Sequence, residues 1–222
     1  MLRYAEEILL LALDDNSGRL HSLPPRALDF AIAGSLLGEL ALMNRVRAQD
    51  ATLCLLDASD TGRPKLDETL ALLRELPQTG QPPELPLEKA LAALTLKAPA
   101  LRERLLADLV DKGILRQEEH RFFFFFGQRR YPVIDDREEK EVRARIREIV
   151  LDKKPADPRD CLLISLMLAC ELSSKVFTPE EVERYRIEIR QVAERDVIGR
   201  VLTATVRRIQ EAELELLAYS GM

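Results

Sequence analysis

Tryptophan is absent from these 222 residues, and histidine and cysteine occur only two and three times. Three cysteines in a chain of this composition exclude a disulfide scaffold, and Cys54, Cys161 and Cys170 form no CxxC pair. Each lies in or beside an apolar run and reads as a buried thiol of a reducing compartment. His21 and His120 lie in different halves of the chain, so only tertiary folding could pair them, and no metal-ligand spacing is present. The glycine-rich dinucleotide motif, the P-loop, HExxH and GxSxG are all missing. An enzyme is therefore not expected, and no cofactor either. Long apolar runs are missing too. The longest nearly uncharged stretch, Cys161 to Cys170, falls well short of the roughly 20 residues of a membrane span. Glu6, Glu7 and Asp14 argue against a signal peptide.

What is present is a globular composition, 46 % hydrophobic and 32 % charged, with a net charge of −5. A chain of this length buries about 70 % of its unfolded surface and needs no staples. The acidic balance argues against broad nucleic-acid binding and leaves room for a local basic face.

Helical spacing dominates. Leu28, Ile32, Leu36, Leu40 and Met43 recur every three or four positions between Pro24 and Asn44, with the two prolines placed for a first helical turn. Gly34 and Gly38 make a smooth stripe on this helix, against which a second backbone is expected to pack. Arg47 to Leu56 reads as one extended segment, and Asp67 to Leu76 as a short helix. Pro86 to Leu96 and Pro99 to Lys112 read as helices, the second stopped by Gly113. Asp135 with Glu138, Asp157–Pro158 and Thr178–Pro179–Glu180–Glu181 are helix starts. The helix from Leu162 is apolar on nearly every face and is expected to be enclosed. The last helical stretch runs towards Ala218, with a break expected at Gly199. The fold class is mainly α: one compact helical domain over residues 1–222 with a protruding β-hairpin.

That hairpin is read as Ile114–Leu115, a polar turn at Glu118–Glu119–His120, and a strand from Phe122 to Phe126. In one strand Phe122, Phe124 and Phe126 would face one side and Phe123 and Phe125 the other. Exposed rings on both faces invite aggregation, so these five are expected to be covered by the fold, by a partner subunit or by a lipid interface. Basic residues cluster at Arg45 and Arg47, Arg129 and Arg130, Lys153, Lys154 and Arg159, and Arg207 and Arg208. The Lys153–Arg159 cluster joins one helix end to the next helix start, where N–H groups and cations together can hold a phosphate.

Five segments, in order, resemble the Golgi phosphoprotein 3 family. They are Glu6-Glu7-Ile8-Leu9-Leu10-Leu11-Ala12-Leu13, Gly38-Glu39-Leu40-Ala41-Leu42, Leu105 to Leu115 ending Lys112-Gly113-Ile114-Leu115, Val150-Leu151-Asp152-Lys153, and Asp157-Pro158. The resemblance runs from Tyr4 to Phe177 and implies a helical domain whose hairpin contributes to self-association. It also implies a pocket for the head group of phosphatidylinositol 4-phosphate, by which eukaryotic members sit on Golgi membranes and retain glycosyltransferases through their cytosolic tails. By the same resemblance that pocket uses a Trp before the long helix, an Arg within it, and basic residues before the apolar helix. Here the loop carries His21-Ser22-Leu23, the helix position is Ala33, and Arg159 alone remains. The basic N-terminal tail of eukaryotic members is also missing, as expected of a short, bacterial-type member.

The expected function is a cytoplasmic, peripherally membrane-associated adaptor that binds anionic phospholipid through Lys153, Lys154 and Arg159, then Arg129 and Arg130. A homo-oligomer through the hairpin and a membrane-protein client are the expected partners. Two alternatives stand beside it. One is an assembly scaffold without lipid binding. The other is a nucleic-acid-binding regulator in which Leu101 to Lys112 and the hairpin form a winged helix, although the acidic Glu103, Asp108 and Asp111 fit a phosphate-lined groove poorly.

Overall fold

A helix without a polar face opens the chain. α1 (Tyr4–Ala12) buries every residue, Glu6 and Glu7 included. The computed structural model describes residues 2–15, 17–122 and 125–220, without the side chains of 119–128, 209–210 and 212–220. After α1 come α2 (Ala27–Leu42), β1 (Val46–Gln49), β2 (Thr52–Leu55), α3 (Pro64–Glu75), β3 (Glu84–Pro86), α4 (Leu87–Thr95) and α5 (Ala98–Asp111). β4 (Glu118–Phe122) and β5 (Phe125–Arg130) form the hairpin. The second half holds α6 (Arg137–Leu151), α7 (Pro158–Ala169), α8 (Ser173–Val176), α9 (Pro179–Arg184), α10 (Arg186–Ala193) and α11 (Val197–Ser220). The protein is mainly α with a hairpin, and α2 is its axle, touching α1, α3, α4, α5, α7, α11 and β1. One apolar core runs from Leu2 through α2 and α7 to Val206 on α11.

Local start and stop signals act as their chemistry requires. The Asp157 carboxylate accepts from the Asp160 N–H at the head of α7. Thr178 and Glu181 form a reciprocal capping box at α9. Gly113, at φ +70°, ends α5. Cys161 and Cys170 are buried on and just after α7, and Cys54 on β2, all three as free thiols. Burial pushes the Cys170 thiol up to about 12.

Five expectations need correction. The segment Arg47–Leu56 is a tight hairpin, β1 paired antiparallel with β2, and β3 adds to β2. Its turn uses Asp50 at φ +52°, a left-handed position that a short polar side chain tolerates. α2 starts at Ala27, after both prolines, because Arg26 at φ +57° interrupts the helical path. Gly34 and Gly38 face side chains rather than a backbone. A Cβ on Gly34 would lie 2.6 Å from Leu202 Cδ1, and one on Gly38 2.0 Å from Leu162 Cδ2. The glycine that a second backbone does approach is Gly18, whose Cβ would fall 2.3 Å from the Pro132 nitrogen.

The last helical stretch breaks at Tyr185 and between Ala193 and Val197, with Gly199 inside α11. Gly199 is there for proximity, since its Cβ would stand 2.1 Å from Ser165 Cβ on α7. Finally, the Phe run is not one strand. Glu118–Glu119–His120 belongs to β4, and Phe122 pairs with Phe125 at the hairpin's end. Strand alternation from 122 to 126 is therefore lost. Phe123 and Phe124 lie outside the described residues, and so do the Phe122, Phe125 and Phe126 rings.

Gly199→Ala should destabilise by about 1–3 kcal/mol, because the β-carbon of Ser165 cannot swing aside as a long side chain would. The urea midpoint should fall with the helical circular dichroism of the folded state retained. Gly34→Leu should cost a similar few kcal/mol by overpacking against Leu202 and Leu166. Unchanged midpoints would mean that α11 is not seated against α2 and α7.

Candidate functional site

The Lys153–Arg159 cluster divides into two exposed lysines and one inward arginine. α6 stops at Asp152, and Lys153 follows in the left-handed conformation at φ +55°, a position that usually holds Gly or Asn. Its side chain is exposed and makes no ion pair among the described residues. Lys154 is also exposed, with Nζ 3.0 Å from Glu148 Oε2. A surface pair of this kind is worth less than about 1 kcal/mol and leaves the lysine available.

Arg159 points the other way. Its Nη2 donates to the Leu2 carbonyl at 2.9 Å and pairs with Glu7 Oε1 at 3.0 Å. The guanidinium sits 4.5 Å above the centre of the Tyr4 ring. Glu7 Oε1 also receives Arg145 Nη2 at 3.1 Å, and Arg145 Nε donates to Asp160 Oδ1 at 2.8 Å. Burial works against the charge of Arg145, yet Glu7 and Asp160 hold it more firmly protonated. Burial, with the charge of Asp157, lifts the Asp160 carboxyl above its ordinary range, and Arg145 opposes that shift. Next to this network Lys112 Nζ meets the buried Glu6 carboxylate at 2.5 Å. The partners of Glu6 and Glu7, Lys112 for the first and Arg145 and Arg159 for the second, lie over a hundred residues away, where no local pattern marks them.

Arg129 and Arg130 end β5. Arg129 stands 3.5 Å from Glu103 on α5, both half exposed. Arg130 is partly buried, and its Nε finds no hydrogen-bond partner among the described residues. Arg130 leads into the start of α6 and Lys153 follows its end, and a helix of 15 residues spans about 22 Å.

The positions implied for a phosphoinositide pocket lie in differing surroundings. Ala33 is buried and uncharged. His21 and Leu23 border a shallow hollow of about 230 Å³ with Arg102, which is itself 3.3 Å from Asp29. Arg159 is not among the residues lining that hollow. The cations of the winged-helix alternative are engaged with this chain's own carboxylates: Arg102 with Asp29, Arg104 with Glu68 and Lys112 with Glu6. Among the described residues, no three His, Cys, Asp or Glu side chains group as a metal site.

The described residues thus make a mainly helical protein with an appended β-hairpin, its cationic side chains divided between an internal network and separate surface points. The family model for Golgi phosphoprotein 3 (GPP34) matches residues 5–212, and the chain belongs to that family. It is 29 % identical over 173 residues to vacuolar protein sorting-associated protein 74 of Eremothecium gossypii, covering 68 % of this chain and 50 % of that protein. It is likewise 29 % identical over 178 residues to the protein of the same name from Schizosaccharomyces pombe, covering 71 % and 52 %. The chain spans about half the length of these curated relatives.

Removing either side of the internal network should act on stability. Glu7→Gln and Arg159→Gln should each cost roughly 2–3 kcal/mol, since each leaves a poorly solvated opposite charge. Lys153→Gln and Lys154→Gln should stay within about 0.5 kcal/mol. Urea unfolding of the four variants separates the two classes, and a neutral Arg159→Gln would return that residue to the surface cluster.

Proposed function

We propose that this chain is one Golgi phosphoprotein 3-like domain acting as a cytoplasmic, peripheral membrane adaptor. It meets anionic phospholipid at the α6–α7 turn and holds a membrane-associated protein client. Membership of the family carries this reading. The exposed Lys153 and Lys154 support it, and so does the lack, among the described residues, of a helix long and apolar enough to cross a membrane. The reading requires no catalysis, cofactor or nucleic acid.

The lipid is read as anionic phospholipid in general rather than phosphatidylinositol 4-phosphate. A selective pocket needs several converging donors, and Arg159, the one cation remaining at the implied positions, faces Glu7. Two lysines near an anionic surface contribute about 2 kcal/mol together, a roughly thirty-fold change in partition. Binding is therefore weak and reversible, and self-association through β4 and β5 would raise it by avidity.

Co-sedimentation with phosphatidylglycerol vesicles at low salt should retain the protein, and phosphatidylcholine vesicles should not. Lys153→Gln with Lys154→Gln should remove most binding, as should salt that brings the Debye length below about 10 Å. Tight, salt-resistant selection of phosphatidylinositol 4-phosphate would overturn the lipid assignment. No retention on any anionic vesicle would favour the scaffold alternative, and binding to short duplex DNA run in parallel would favour the regulator. For the hairpin, Phe122→Ser with Phe125→Ser should shift sedimentation towards monomer with helical circular dichroism retained. An unchanged oligomeric state would remove the hairpin from the interface.

A further inference from the structure

A groove of about 400 Å³ opens between α7, α10 and α11, away from both basic clusters considered above. Three guanidinium groups border it: Arg190 from α10, with Arg200 and Arg207 two turns apart on α11. In a chain with a net charge of −5, this is a local excess of the opposite sign. Glu194 is the one acidic residue on its rim. Arg190 is exposed and makes no side-chain hydrogen bond or ion pair among the described residues. Arg200 Nη1 donates to the Glu194 carbonyl at 2.8 Å, and its charge also acts on the partly buried Asp196 carboxyl. Arg207 stands 3.6 Å from Glu211, an exposed pair four residues apart on the helix and worth a few tenths of a kcal/mol. Such a pair yields readily to a better anion.

Between these cations the floor is apolar, formed by Leu168 and Ala193, with Ala204 beside them, while Thr203 adds a hydroxyl. Guanidinium forks match phosphate oxygens two at a time. Three of them converging on one groove, with Glu194 the acidic residue of its lining, favour a doubly charged anion. The apolar floor favours an organic stem behind that anion, and the volume suits a small molecule. We infer that this groove is a binding site for a phosphate monoester on a short organic stem, separate from the lysines of the α6–α7 turn. Two sources share that chemistry: a soluble sugar or glycerol phosphate, and a phosphomonoester lipid head group.

The test uses the full chain and two probes. Isothermal titration with glycerol 3-phosphate at low salt reads the soluble source, and co-sedimentation with vesicles containing phosphatidic acid reads the lipid source. Saturable binding of either probe, weakened at least five-fold by Arg190→Gln or Arg207→Gln, supports the site. Glycerol 3-phosphate binding should be unaffected by the Lys153→Gln, Lys154→Gln pair. Phosphatidic acid binding is read as the excess retention over phosphatidylglycerol vesicles of equal charge, which that pair should leave unchanged. The probe that binds names the source. Both arginines are exposed, so folding should persist and is checked by circular dichroism. Ala204→Glu, which sets a carboxylate into the groove from an exposed position, serves as a second variant and should also weaken binding. Absence of binding by both probes, or binding indifferent to all three groove variants, overturns the inference. Phosphatidic acid binding that is lost with the lysine pair alone overturns it too, and leaves the membrane reading standing.

Discussion

The fold depends on neutralising two adjacent carboxylates inside its first helix. α1 is enclosed on every side, so Glu6 and Glu7 have no route to water. Leaving a carboxylate unpaired in such a place costs several kcal/mol. The partners come from Lys112 just after α5, Arg145 on α6 and Arg159 on α7. One helix is thereby tied to three others at fixed points. The same network draws in Asp160 at the head of α7 and the Leu2 carbonyl before α1. Glu7 Oε2 is buried without a hydrogen-bond partner among the described residues, a cost the surrounding ion pairs must offset.

This constraint also decides what the surface can do. Arg159 is held by Glu7 and Tyr4, and the exposed cations of the α6–α7 turn are Lys153 and Lys154. Several other cations are paired with carboxylates of the same chain, as in Arg45 with Asp57, Lys65 with Asp108 and Arg208 with Glu88. Weak attraction gains from multiplicity, which gives the hairpin and self-association their place in the adaptor reading.

Close packing imposes a second demand. Gly34 and Gly38 on α2 leave room for the side chains of Leu202, Leu166 and Leu162, and Gly199 on α11 lets Ser165 of α7 come close. Ser165 faces Gly199 and donates its hydroxyl to the Ala193 carbonyl, so a polar atom at the centre of α7 is satisfied by the end of α10. Where these helices part, the arginine-bordered groove begins, lined on one side by the same Ser165.

Much of this was legible in the sequence because its causes are local. The Asp157 cap, the Thr178–Glu181 box, the Gly113 stop and the apolar faces of α2 and α7 each depend on residues within a turn or two. The mainly helical class follows from those patterns, and the family resemblance rests on five short segments in order. What stayed hidden depended on partners distant in the chain. Nothing near Arg159 tells that its counter-charge is Glu7, and nothing near Gly18 tells that Tyr131 and Pro132 pass against it. The strand register that splits the Phe run, and the meeting of Arg190 with Arg200 and Arg207, are likewise set by how separate elements pack. Short-range hydrogen bonding and periodicity choose the elements. Which charge becomes buried, and beside what, is decided only when the tertiary fold brings remote residues within contact distance.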